Sequence, residues 1–122
     1  MSDTIELVDK LLADLKNIGG VEACIAASRD GLLIRATMEK EQLMDSLSAM
    51  SATMLGAAET AITQAEKGVP NRVIVESEHG KLVVVGAGSK ALLIVLAAPN
   101  AGLGLILLEL EKSAKKLKDI LT

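Results

Sequence analysis

Phenylalanine, tyrosine and tryptophan are absent from the 122-residue chain. Without an aromatic ring there is no platform for stacking nucleobases. A cage for a quaternary ammonium is excluded for the same reason. Cys24 is the one cysteine, so neither an intramolecular disulfide nor a multi-thiolate metal site can form. His79 is the one histidine. It excludes a multi-histidine zinc site and leaves any histidine-based triad a single base to use. Lys plus Arg (13) falls short of Asp plus Glu (16), and the net charge of -3 disfavours a polyanion-binding surface. The longest unbroken apolar run, Ala91 to Ala98, stops at Pro99. That is far short of the roughly 20 residues a membrane helix needs. The first residues, Met1-Ser2-Asp3-Thr4, are acidic, with no basic stretch leading into an apolar core. A lone thiol in an apolar strand suits a reducing compartment. The expectation is a cytoplasmic protein with no nucleic-acid partner, no membrane insertion, no metal and no cofactor.

Half of the residues are apolar, and the length suits one domain spanning residues 1–122. Ile5, Val8, Leu11, Leu12 and Leu15 fall at helical spacings from Asp3 to Asn17, and Gly19-Gly20 ends that helix. Val21 to Ser28 reads as a strand, with Val21, Ala23, Ile25 and Ala27 on one face and Glu22, Cys24, Ala26 and Ser28 on the other. Arg29-Asp30-Gly31 supplies a tight reversal, and Leu32 to Ala36 returns. A long helix is expected over Glu41 to Lys67, stopped by Gly68-Val69-Pro70. Three strands follow: Arg72 to Glu78, Lys81 to Val85 and Ala91 to Ala97. The last two are apolar enough to need cover on both faces. A final helix starts near Asn100 to Gly102, with Leu103, Ile106, Leu107, Leu110, Ala114, Leu117 and Leu121 as its stripe. Lys112, Lys115, Lys116 and Lys118 sit near its C-terminal end. The predicted class is an α/β sandwich of order αββαβββα. Its five mostly antiparallel strands lie between helices on both faces.

The middle helix is the unusual element, because Ser46 to Ala58 contains no charged residue. Helical spacing groups Leu43, Leu47, Met50, Met54, Ala57, Ala61 and Ala65, widened by Met44, Leu55, Ala58 and Ile62, as the face expected on the sheet. The opposite side carries Ala49, Ala52, Thr53, Gly56, Thr60 and Thr63, all small and uncharged. Gly56 costs about 1 kcal/mol against Ala within a helix, and small residues admit a second backbone. A symmetric copy of the same helix is the simplest partner; the plain alternative is a weakly amphipathic surface helix. The strand Arg72 to Glu78 is the most polar of the last three and is expected at a sheet edge, where a second copy can pair with it. Pairing about Val75 places Arg72 opposite Glu78 of the other chain.

Other motifs have ordinary explanations. Gly86-Ala87-Gly88-Ser89-Lys90 lacks the Walker spacing and precedes a strand, so a hairpin turn is expected. His79 reads as a solvated turn residue, Cys24 as a small buried hydrophobe, and the lysine run as a solvated helix face. Met38, Met44, Met50 and Met54 read as core filling, with an adaptable binding surface as the alternative. No constellation supports catalysis.

The stretch Gly20-Val21-Glu22-Ala23-Cys24-Ile25-Ala26-Ala27-Ser28-Arg29-Asp30-Gly31-Leu32-Leu33-Ile34 resembles the first hairpin of the roadblock / dynein light chain family. So do the uncharged Ala-rich helix, Arg72-Val73-Ile74-Val75-Glu76, and Asn100-Ala101-Gly102-Leu103-Gly104 before the last helix. The resemblance implies a profilin-like sandwich and a homodimer, or a heterodimer with a paralogue, formed by the central helix and the middle strand. The implied interface holds Ala49, Ala52, Thr53, Gly56, Thr60, Thr63, Arg72, Ile74, Val75, Glu76 and Glu78. The resemblance further implies a non-enzymatic regulator or scaffold of a small Ras-like GTPase. A trans-acting arginine for such a partner would come from Arg29, Arg35 or Arg72, and the sequence selects none of them. Two alternatives stay open: a profilin-like or PAS-like small-ligand sensor, and a structural subunit of a larger motor or signalling complex.

Overall fold

Alternation and helical spacing resolve into eight elements in the expected αββαβββα order. They are α1 (Ser2–Lys16), β1 (Val21–Ser28), β2 (Leu33–Ala36), α2 (Glu41–Gln64), β3 (Arg72–Ser77), β4 (Gly80–Ala87), β5 (Ala91–Ala97) and α3 (Leu103–Ile120). The structure, a computed structural model, describes residues 2–122. The strands form one sheet of order β2-β1-β5-β4-β3, and every neighbouring pair is antiparallel. The architecture is profilin-like.

The apolar run of β5 splits between two cores by strand alternation. Leu93 and Val95 join α1 and α3 residues such as Val8, Leu12, Leu15, Ile106, Leu110 and Leu117 on one face. Leu92 and Ile94 join Met44 and Leu55 of α2 on the other. Each fully buried Leu or Ile contributes about 1.5–3 kcal/mol, so this central strand anchors both layers. β1 departs from simple alternation. Val21 packs with Cys24 and Ala26 on the α1/α3 face, because the pairing with β5 shifts between Val21 and Ala23. That bulge turns Val21 to the face opposite the one expected.

α2 also differs from expectation. Its sheet-facing residues are Met44, Ser48, Ser51 and Leu55, all buried, with Leu47, Ala52 and Met54 partly buried against the same core. Leu43, Met50, Ala57, Ala61 and Ala65, expected on the sheet, are exposed. With two small serines on its sheet side, the helix is turned about its own axis from the orientation that hydrophobicity alone suggests. The helix ends at Gln64, three residues before Lys67.

The β1–β2 turn fixes the height of α2. Gly31 has φ +87°, and a Cβ there would stand 3.0 Å from the Ala49 backbone. Arg29 adds a polar tie. Its guanidinium donates to the Gly88 carbonyl at 2.8 and 3.1 Å and to the Glu59 carboxylate of α2 at 3.2 Å. A Cβ at Gly86 would collide with that guanidinium, so the glycine-rich β4–β5 connection serves an arginine instead of a phosphate. On the other face, Asp9 of α1 accepts from Arg35 of β2 at 2.8 and 3.0 Å.

Two buried groups carry measurable consequences. Ser48 Oγ donates to the Met44 carbonyl at 2.7 Å, whereas Ser51 Oγ is buried without a hydrogen-bond partner. Ser51→Ala is expected to stabilise the fold by about 1 kcal/mol in urea unfolding. Destabilisation on that change would mean that the hydroxyl has a partner. Burial pushes the Cys24 thiol up to about 12, with the Lys16 charge a smaller opposing influence. The unfolded thiol ionises near pH ~8.5, so stability is full below that pH and falls as the pH rises toward the folded value. Cys24→Ala is expected to flatten this alkaline decline in thermal unfolding.

Candidate interaction surface

β3 lies at the end of the sheet with no strand on its outer side. Its pairing with β4 closes on a two-residue loop, Glu78-His79, flanked by Ser77 opposite Gly80. In such a hairpin the flanking pair bonds inward and the pattern alternates. Ser77, Val75 and Val73 therefore spend their backbone groups on β4, and Glu76, Ile74 and Arg72 point theirs outward. Side chains follow the same alternation. Arg72, Ile74 and Glu76 stand opposite Val85, Val83 and Lys81 on the α1/α3 face, while Val73 and Val75 stand opposite Val84 and Leu82 on the α2 face. Ile74 and Val75 are 37% and 38% exposed. A β-branched edge with free backbone groups invites another strand.

The outer face of α2 lies on the same molecule without a layer above it. Ala49, Thr53, Gly56, Thr60 and Thr63 are exposed, whereas Ala52, expected beside them, is half-buried against the core under α2. Ala52 and Ala49 are partly spent on the Gly31 turn. The Thr53 and Thr60 hydroxyls bond back to the Ala49 and Gly56 carbonyls at 3.0 and 3.1 Å. Their methyl groups are thereby left as the outward surface. Met50, 60% exposed, and Leu43, 41% exposed, enlarge this face; both were expected in the core. The core side is marked instead by Ser48 and Ser51, one helical turn apart and both buried. α2 also leaves one end of the sheet bare, where Val75, Leu82 and Leu96 floor a shallow groove rimmed by Glu22, Lys81 and His79.

The remaining expected groups separate. Glu78 lies in the turn beyond β3, next to His79. Arg29 and Arg35 are both held by carboxylates within the chain. Arg72 forms no ion pair among the described residues. It lines a cleft of about 220 Å³ with Asn71, Val85, Glu111, Lys115 and Lys118, the place a ligand-sensor reading would draw on. Among the described residues no cluster of His, Cys, Asp and Glu is arranged to hold a metal, and no helix is long and apolar enough to cross a membrane.

Comparisons with known proteins give sequence relatives, structural neighbours and one family. The chain is 30% identical to an uncharacterized protein of Methanocaldococcus jannaschii over 112 residues, 92% of this chain and 97% of that protein. Its fold is similar to that of a Roadblock/LC7 domain from Streptomyces avermitilis, with a TM-score of 0.87 and 23% identity over 93% of this chain and 96% of that one. It is similar also to the gliding protein mglB from Thermus thermophilus, with a TM-score of 0.85 and 20% identity over 96% and 90%. Residues 7–97 match the family described as Roadblock/LC7 domain. That span is well over half of the sequence and the fold agrees with it, so the chain belongs to the Roadblock/LC7 domain family.

Proposed function

We propose that this protein is a non-enzymatic dimeric regulator or scaffold of a small Ras-like GTPase. The observation that carries the dimer is the joint exposure of an uncharged α2 face and an edge strand with unspent backbone groups. The GTPase assignment rests on the family resemblance, and the arrangement of the arginines bears on mechanism. Arg29 and Arg35 are tied within the chain, so neither stands ready as a donated finger. Regulation then works by differential affinity: the dimer presents a rigid surface that fits one switch state better than the other, and the population follows.

The strand limits refine the pairing of two β3 strands. A two-fold axis must bring residues of the same sheet face opposite one another, so it passes through Ile74 or through Val75. The axis through Val75 sets Ile74 against Glu76 of the partner copy and needs Glu78, which lies outside the strand. The axis through Ile74 sets Ile74 against its own copy, Val73 against Val75, and Arg72 against Glu76. It also joins the three outward-facing backbone positions. Cross-strand apolar and opposite-charge pairs contribute about 0.2–1 kcal/mol each, and each unlike pair occurs twice by symmetry. The Ile74 register is therefore the favoured one. The same operation carries the partner's α2 toward the bare shelf of Val75, Leu82 and Leu96.

Two experiments test this reading. Arg72→Glu is expected to weaken the dimer at least tenfold in sedimentation, and Glu76→Arg on the same chain is expected to restore it. Rescue by Glu78→Arg instead would return the axis to Val75, and full dimer strength in Arg72→Glu would remove the β3 pair altogether. For the partner, pull-down from native lysate in the presence of GTP and GDP analogues should recover a small GTPase preferentially in one nucleotide state. Recovery of none in either state would overturn the regulatory role.

A further inference from the structure

On the face of the sheet away from α2, α3 packs over β4 and β5, and the cleft that holds Arg72 opens along its flank. Leu107, Glu111, Lys115 and Lys118 recur at helical spacing and form its α3 wall. Val85 of β4 and Leu110 of α3 add apolar lining.

Three cations meet in this cleft. Arg72 is half-buried, and Lys115 and Lys118 are exposed. Elsewhere Lys10, Arg29, Arg35 and Lys112 each have a carboxylate at 2.8–3.8 Å. Among the described residues none of the three cleft cations forms an ion pair. Glu111 is the one carboxylate in the lining, so the cleft stands at +2 in a chain whose net charge is -3. Lys118 is also held in place. Gly88 has φ +75°, and a Cβ there would stand 2.8 Å from Lys118 Cγ. The alkyl stem of the lysine thus lies on the β4–β5 turn, which restricts where its ammonium can reach.

Size and charge select an occupant. The cleft measures about 220 Å³, below the roughly 300 Å³ at which pockets for drug-sized ligands begin. A nucleotide is too large for it, and the chain has no aromatic ring on which a base could stack. A phosphate monoester carries about -1.5 to -2 at neutral pH and matches the local charge better than a single carboxylate does. The Arg72 guanidinium supplies the planar fork that phosphate oxygens accept from. The Asn71 amide and the Glu111 carboxylate remain for hydroxyl groups, and the apolar lining remains for carbon. A lipid headgroup is disfavoured, because an anionic membrane surface repels a chain of net charge -3.

We propose that this cleft binds a soluble, compact phosphate monoester with a short hydroxylated carbon body, its phosphoryl group held by Arg72, Lys115 and Lys118. The site does not rest on the GTPase role or on the β3 pair. A guanidinium has five N–H donors, so Arg72 can serve the phosphoryl group and Glu76 of the partner copy together.

Isothermal titration calorimetry with glycerol 3-phosphate as the probe tests this. The native protein is expected to bind the ester more tightly than inorganic phosphate. Affinity should rise between about pH 5 and about pH 7.5, as the phosphoryl group loses its second proton near pH ~6. Lys115→Ala with Lys118→Ala is expected to weaken binding at least tenfold, and Lys115→Arg with Lys118→Arg to retain it. Both lysines lie on α3, outside the β3 pair. The alanine variant should therefore keep the native mass and the native unfolding temperature without ligand, which separates loss of this site from loss of the dimer or the fold. Four results would overturn the proposal: no binding heat at millimolar probe, equal affinity in the alanine variant, no preference for the ester over inorganic phosphate, or capture only by vesicles containing phosphatidic acid.

Discussion

Backbone amides that point away from an edge strand must be bonded to water or to another chain, and this constraint organises the account of β3. Arg72, Ile74 and Glu76 turn their backbone groups outward, and the Ile74 and Glu76 side chains are exposed as well. Soluble proteins commonly guard such an edge with lysine, proline or a bulge. β3 has none of these along Arg72–Ser77, and its centre is Val73-Ile74-Val75. The adjacent α2 repeats the pattern, since a stretch of more than three turns lacks any charge and ends its outward side chains in methyl groups. Two unguarded features side by side form one surface, and a two-fold operation can satisfy both at once.

The arginines tie stability to function. Arg29 spans the β1–β2 turn, the β4–β5 turn and α2, and the glycine at position 86 is the space it occupies. Arg35 holds α1 to the opposite edge strand. Both are partly exposed ion pairs of the kind that contribute modestly to stability, so their greater role is to set the angle of each helix on the sheet. A platform with its helices held in this way presents one surface to a partner.

Much of this was legible in the residues. Asp30-Gly31, the apolar runs of β4 and β5 and the Leu103-to-Leu121 stripe specify their elements by local chemistry, and the structure follows them closely. The orientation of α2 was not legible in the same way. Met50 and Ala57 look like core by hydrophobicity, and Ser48 and Ser51 look like surface, yet the serines are buried and the other two are exposed. Val21 was misplaced because a single extra residue against β5 reverses a face, and period-two reasoning carries no information about bulges. The exposed leucines of α3, Leu105 and Leu108, drew no reading because they fall outside its helical stripe. Helical spacing already set Ile106 and Leu110, which are buried, apart from those two.

Amide hydrogen exchange at β3 bears most directly on the central claim. In the proposed pair the outward amides of Ile74 and Glu76 are bonded across the axis, and their exchange should be slow and should quicken on dilution. Exchange at the rate of open backbone, independent of protein concentration, would contradict the pairing of two copies through this strand.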